Sequence, residues 1–261
     1  MAPLKLYWWN NRRNFGDRIS ADIVAHVSGR TVEWAPAEEA DLFAIGSIFS
    51  FASKASSQFG DRKPWVWGTG LIGPMDTGFL QRLNIASVRG PLSEEILGIK
   101  PGGYGDPGLL MAEVLGEDIK REDKVAIVPH FRLLDRRRPE ELAASLPNAE
   151  VLDPRDNDYL GIVRRIAACK LVVSSSLHGL IIADAFGVPS LWLDPHGNHP
   201  YARLKFYDYA ASVGRALNTP MRLTDAAELL ERDALPEISY GQGIKVAVKN
   251  LKDRFPSALR A

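Results

Sequence analysis

Apolar residues follow two rhythms along this chain. Short unbroken runs end at glycine or a polar turn, as parallel strands covered on both faces do; longer stretches repeat every third or fourth position, as amphipathic helices do. The first rhythm predicts strands at 5–10, 31–34, 41–45, 65–67 and 85–88, with glycine-bearing turns at Gly46-Ser47 and Gly68-Thr-Gly70. The second predicts helices from the Asn14-Phe-Gly-Asp17 loop through about Val27, then at 92–97 and at 109–115, closed by Gly98 and Gly116. Residues 116–124 are polar and charged and read as a linker. Beyond them the alternation restarts: strand 125–128, helix 139–145, strand 150–153, helix 159–169, then helices at 224–232 and 243–255. Two blocks of strand–helix alternation predict an α/β protein of two doubly wound domains facing across a cleft. The expected division is 1–117 and 118–242, with a C-terminal helix at about 243–261 packing back on the first block.

The segment 171–194 is the most specific piece of patterning. An apolar run at Leu171–Val173 leads into Ser174, Ser175 and Ser176, which offer hydroxyls as helix N-caps. An apolar helix from about Leu177 stops at Gly187, and a second buried strand follows Pro189. His178 therefore falls in the first helical turn at the carboxyl edge of a parallel sheet. Unpaired backbone N–H groups and the positive end of the helix dipole favour an anion there, and open α/β sheets bind their ligands at that edge.

Composition narrows the class without naming a ligand. Lys+Arg and Asp+Glu are both 32 in 261 residues, so no global field points to nucleic acid or an acidic surface. The single cysteine, Cys169, allows no internal disulfide, fits a reducing cytoplasm, and reads as a small buried apolar group. The N-terminus has no signal-peptide pattern, and no apolar run reaches the ~20 residues of a membrane span. His196 and His199 lie in a Pro/Gly-rich loop without a paired second motif, so no metal site is expected.

Polar groups at strand ends are the candidates for chemistry. The first block supplies Asn14, Gly16, Asp17, Ser47, Thr69 and Arg89; the second supplies His130, Ser175, Ser176, His178 and Lys205. Each has a plain alternative. Asn14 and Asp17 cap the first helix or face a ligand, and Arg89 clamps an anion or pairs with a nearby Asp. The glycine turns lack the third glycine of a dinucleotide fingerprint, and no Walker motif is present. The run Phe206-Tyr-Asp-Tyr209 lines a sugar or packs as an amphipathic helix, with Asp208 read as a surface or capping group.

Taken in order, several motifs resemble those of the polysaccharide pyruvyl transferase family. They are Asn14-Phe-Gly-Asp17, Ala44-Ile-Gly-Ser-Ile48, Val66-Trp-Gly-Thr-Gly70, Ser87-Val-Arg-Gly-Pro-Leu92, Gly105-Asp-Pro-Gly-Leu-Leu110, Val128-Pro-His130 and the segment from Ser175 to Pro189. The resemblance implies two Rossmann-like domains in a glycosyltransferase-B-like arrangement. It also implies transfer of a carboxyethylidene group from phosphoenolpyruvate to two hydroxyls of one sugar, free or lipid-linked, in exopolysaccharide or surface-glycan synthesis. On that reading His178 is acid/base or phosphate ligand, Arg89 the anion clamp, Asp17 the base and Lys205 a supporting cation. No cofactor is called for, and the setting is cytoplasmic, with peripheral association with a membrane-bound assembly. The competing expectations are a nucleotide-sugar-dependent glycosyltransferase of the same fold and a non-catalytic glycan-binding partner.

Overall fold

Strands β1 (Leu4–Tyr7), β2 (Val32–Trp34), β3 (Leu42–Phe43), β4 (Trp65–Trp67) and β5 (Asn84–Ser87) pair in parallel in the order β2-β1-β3-β4-β5. A second parallel sheet joins β6 (Glu122–Val128), β7 (Ala149–Val151), β8 (Cys169–Ser174) and β9 (Ser190–Trp192) in the order β7-β6-β8-β9. This is a computed structural model, and it describes residues 2–134, 138–194, 200–217, 219–221, 228 and 235–261.

Side-chain alternation explains why these strands read as unbroken apolar runs. Leu4, Leu6 and Leu42 enter one buried cluster, while Tyr7, Phe43 and Val66 enter another across the sheet. In the second sheet Ala126, Val128 and Val172 face the first cluster, and Val125, Ile127, Leu171 and Val173 face a third. Both faces of both sheets are thus covered, and the shared cluster runs between them.

Helices follow the local signals. Helix α1 (Phe15–Ser28) starts where the Asn14 side chain accepts the Gly16 N–H at 3.3 Å, and it buries Phe15, Ile19 and Ile23. It ends at Gly29 in the left-handed region. Helix α6 (Tyr159–Ala168) is capped by Asp158, which accepts the Gly161 N–H at 2.8 Å; its stripe is Ile162, Val163, Ile166 and Ala167. Helix α7 (Leu177–Ala185) is apolar all round and buried all round, packed on β8 and on the 3-10 turn Pro107–Leu110. Helices α3 (Pro91–Leu97), α4 (Met111–Leu115), α5 (Arg138–Ser145) and α8 (Leu204–Val213) complete the coverage. The C-terminal helix α9 (Gly241–Arg254) packs back on the first sheet: Trp67 Nε1 donates to the Leu251 carbonyl at 2.9 Å, and Trp67 meets Phe255 edge-on at 5.0 Å.

Several expectations need adjustment. Strand β1 stops at Tyr7, well short of 10, and β3 has two paired residues. Glu122, Asp123 and Lys124 belong to β6, because an edge-exposed strand end can carry charge; the polar connection is therefore 116–121. Cys169 begins β8 and does not end the preceding helix. The expected helix at 109–115 divides into a 3-10 turn and α4. Helix α2 (Phe49–Ala55) had no counterpart in the sequence reading. The helix expected at 224–232 lies outside the described residues, as do His196 and His199.

Candidate functional site

In each sheet the strand order reverses at one place, between β1 and β3 and between β6 and β8. Loops leaving neighbouring strands part there in opposite directions, opening a crevice at the carboxyl edge. The loops at these two points carry Asn14–Asp17 and Gly46-Ser47 from the first sheet, and His130 and Ser174–Ser176 from the second. The two sets meet. An ideal Cβ on Gly16 would lie 2.1 Å from Nδ1 of His178, so the imidazole rests directly on the start of α1.

Asp17 is 6% exposed, and its Oδ2 accepts a hydrogen bond from Asn14 Nδ2 at 2.8 Å. Burial pushes its carboxyl up to about 7, against the lowering pull of Lys205 and of the Asn14 bond; Asp106 adds a small upward push. His178 is 7% exposed and its Nε2 has no hydrogen-bond partner among the described residues. Burial first, then the charges of Lys205 and Arg89, bring its pKa down to about 3, so the resting ring is neutral. A buried, unpartnered imidazole nitrogen costs free energy unless a ligand completes it.

Arg89 is fully buried and already engaged. Its Nε donates to Asp208 Oδ2 at 3.0 Å, Nη1 to Ser47 Oγ at 2.9 Å and Nη2 to the Leu71 carbonyl at 2.9 Å. Asp208 is equally buried and accepts from Ser93 N at 2.9 Å and Ser93 Oγ at 2.6 Å. Asp208 is thus not a surface group; it caps α3 from another helix and neutralises Arg89. Of the two outcomes open to Arg89, pairing with an Asp is the one present here. Gly70 makes room for the guanidinium, since a Cβ there would sit 2.3 Å from Cζ. Thr69 is committed to the turns: its Oγ1 donates to the Gly46 carbonyl at 2.7 Å and accepts the Ile48 N–H at 3.3 Å. The aromatic neighbours Phe206 and Tyr209 are core residues.

On the second sheet, α7 is capped by the side chain of none of the three serines expected to offer N-caps; Ser174 instead braces the turn before it. Ser174 Oγ accepts the Ser176 N–H at 3.0 Å and donates to carbonyl oxygen, whereas Ser176 makes no side-chain cap. Ser175 Oγ accepts the His130 N–H at 2.8 Å, tying the β6 and β8 loops together. The His130 ring stacks near Phe131 at 4.5 Å, and burial with the nearby cations Lys205 and Arg132 lowers it to about 3. Lys205, half-buried at the start of α8, has no hydrogen bond or ion pair among the described residues; burial and Arg89 bring it down to about 8, opposed by Asp17.

Asp106 and Arg132 were missed as members of this group. Asp106 is fully buried, caps the 3-10 turn by accepting the Gly108 N–H at 3.0 Å, and keeps Oδ2 unpartnered. Burial raises it to about 6, with Arg89 pulling the other way. Its Asp-Pro-Gly context announced a cap but not its proximity to Arg89. No cluster of three or more metal-ligating side chains occurs among the described residues. None of their helices is long and apolar enough to cross a membrane. Burial also pushes the Cys169 thiol up to about 11.

Two parallel sheets whose switch points converge on buried acids, cations and a neutral imidazole define an α/β protein with an anion-competent centre. Comparison with known proteins sharpens that class. The sequence model of the polysaccharide pyruvyl transferase family matches residues 3–197, and the chain belongs to this family. It is 28% identical over 223 residues to the succinoglycan biosynthesis protein ExoV of Rhizobium meliloti, covering 81% of this chain and 65% of that protein. It is 35% identical over 115 residues to the uncharacterised protein L143 of Acanthamoeba polyphaga mimivirus, covering 42% and 39%. The chain thus spans less than two thirds of either relative. In fold it resembles a Listeria monocytogenes protein assigned as a UDP-N-acetylglucosamine 2-epimerase, with a TM-score of 0.55, 12% identity, and 95% and 92% of the two chains covered.

Proposed function

We propose that this protein transfers a carboxyethylidene group from phosphoenolpyruvate to two hydroxyls of one sugar during polysaccharide synthesis, releasing phosphate. Family membership carries the reading, and the polar centre between the sheets fits it. The two sheets act as Rossmann-like halves in a glycosyltransferase-B-like arrangement, and the reaction takes place in the cytoplasm on a free or lipid-linked saccharide.

The donor is an anion with a carboxylate and a phosphate. Lys205, Arg132, the backbone N–H groups at the start of α7 and the unpartnered His178 Nε2 are the groups available to hold it. Arg89 acts from beneath, paired with Asp208 and holding Ser47, and so shapes the site without lending it net charge. Chemistry begins with a proton delivered to the methylene carbon, leaving an oxocarbenium-like centre at C2. One sugar hydroxyl adds there and gives up its proton; the C2–O bond to phosphate then breaks, and the second hydroxyl closes the ketal, losing its own proton. Asp17, poised at about 7, is available both to give and to receive a proton near neutrality. His178 offers a second, neutral exchange site.

The test is thermal stabilisation by phosphoenolpyruvate, beside uridine diphosphate sugars, in wild type and Lys205→Met. A ligand at 100 times its dissociation constant adds about 2.7 kcal/mol if it binds only the folded state. Stabilisation by phosphoenolpyruvate alone, weakened in the variant, is the expected result. Stabilisation only by a nucleotide sugar moves the protein to glycosyl transfer and overturns the reading.

A further inference from the structure

A second recess lies beside this centre. Its volume is about 280 Å³, close to the lower end of ligand pockets. It opens at the carboxyl ends of β1 and β2, against α2. Tyr7 and Phe51 form one wall, with ring centroids 5.3 Å apart and planes at 39°. Trp34 stands at the rim, 43% exposed, its indole oriented by a 3.0 Å bond from Nε1 to the Trp8 carbonyl. Asn10, Glu38 and Gln58 edge the recess, and none of their side chains makes a hydrogen bond among the described residues.

We propose that this recess is a saccharide subsite that holds the acceptor unit next to the reacting sugar. The inference rests on the pyruvyl-transfer reading for what the saccharide is used for, but not for its binding. A pyranose has an apolar C–H face and a polar equator of hydroxyls. The exposed Trp34 face, with Phe51 and Tyr7 lining the recess, suits the first, and the solvent-facing amides of Asn10 and Gln58 with the Glu38 carboxylate, which donate and accept, suit the second. The lining carries one carboxylate, Glu38, and one ammonium, Lys54, and so no net charge to draw in an anion. Placement connects the recess to the chemistry. Asn10 and its neighbours lie in the β1–α1 loop that leads into Asn14–Asp17, so a unit held here presents its neighbour to Asp17. The Tyr7 hydroxyl lies between the two: after burial, the charges of Asp17 and Glu38 are the causes that lift it to about 12. Trp34 ends β2, and its indole, held by the Trp8 carbonyl, keeps an exposed face at the rim of the recess.

The test titrates the intact protein with neutral disaccharides, galactose- and glucose-containing and in both linkages, and follows tryptophan fluorescence. At least one should bind saturably, and Trp34→Ala and Glu38→Gln should each weaken it at least tenfold. Phosphoenolpyruvate should stabilise both variants as it does wild type. Lys205→Met should show the converse, with donor binding weakened and saccharide binding intact. The subsite is overturned if no disaccharide binds, or if binding survives both recess variants within twofold. Failure of donor binding with saccharide binding preserved would instead remove pyruvyl transfer and leave the subsite standing. Uridine competing for the Trp34 signal in place of a sugar would also refute it.

Discussion

Gly16→Ala is the sharpest perturbation of the meeting point between the sheets. Gly16 is the second residue of α1 and is not among the positive-φ glycines, so its backbone does not require glycine. On helix propensity alone, alanine would stabilise by roughly 0.5–1 kcal/mol. Space reverses the sign. The new Cβ would lie 2.1 Å from Nδ1, 2.4 Å from Cγ and 2.7 Å from Cβ of His178. The Cβ is fixed to the backbone and no side-chain rotation carries it away, and the residue is 7% exposed, which leaves the ring little room to swing. Forcing extra atoms into a packed site costs roughly 1–3 kcal/mol. The net expectation is a loss of about 1–2 kcal/mol.

Urea unfolding of four proteins decides it: wild type, Gly16→Ala, His178→Ala and the double variant. With the imidazole gone the two shortest contacts go and only the 2.7 Å approach to the Cβ at 178 remains, so alanine at 16 should then be close to neutral. The resulting coupling, about 1–2 kcal/mol, falls within the range for residues in contact. Gly16→Ala should also lose turnover, because the ring is displaced from its neighbours. The reasoning is refuted if Gly16→Ala is at least as stable as wild type and the coupling is near zero. Full turnover in a folded Gly16→Ala would separately remove His178 from the chemistry.

Three further outcomes follow from the same geometry. Arg89→Leu should destabilise by about 3–5 kcal/mol by leaving Asp208 buried and unpaired, and Arg89→Leu/Asp208→Leu should recover most of it in chemical unfolding; equal losses in single and double variants would contradict the pairing. Because the folded Asp17 holds its proton up to about 7, its own contribution to stability falls as pH rises from about 4 to 7, opposed by His178 and His130, whose lowered values make their contributions rise with pH over much of that window. Asp17→Asn should remove a slope of about 1.4 kcal/mol per pH unit there, and an unchanged slope in unfolding measured across that window would count against the raised carboxyl. A bound dianion favours the protonated forms of His178 and Lys205 and disfavours ionised Asp17. Phosphoenolpyruvate binding should therefore take up protons, read as a calorimetric enthalpy that varies with buffer; proton release would oppose the proposed placement.

What the sequence disclosed depended on how locally each feature was encoded. The strand–turn–helix unit through His178 carried its own punctuation, and the cap of α1 was written in Asn14. Helix α2 had no such signal: Phe-Ser-Phe alternation suggests a strand, no side chain caps it, and it is held by burying Phe49 and Ala52. The role of Arg89 was undecidable locally, because its partner Asp208 is 119 residues away. A signal for Asp208 did exist. It lies between Phe206 and Tyr209 on a helix face that buries both, so a carboxylate there had to meet a donor. The Ser-rich turn promised an N-cap that α7 does not use: the Ser174 hydroxyl is spent bracing the turn and Ser175 ties it to His130.

The electrostatic arrangement follows from one constraint, that a buried charge needs a partner. Arg89 and Asp208 satisfy each other and leave no net charge for a ligand, yet they hold Ser47, Ser93 and the Leu71 turn in place. The remaining members are less settled. Asp17 and Asp106 are lifted towards neutrality, His178 is kept uncharged, and Lys205 is brought down while it has no paired carboxylate. Such a set is responsive to an arriving anion, which favours the charged forms of Lys205 and His178 and keeps the two acids protonated. The fixed pair positions the site, and the adjustable groups are the ones suited to proton transfer.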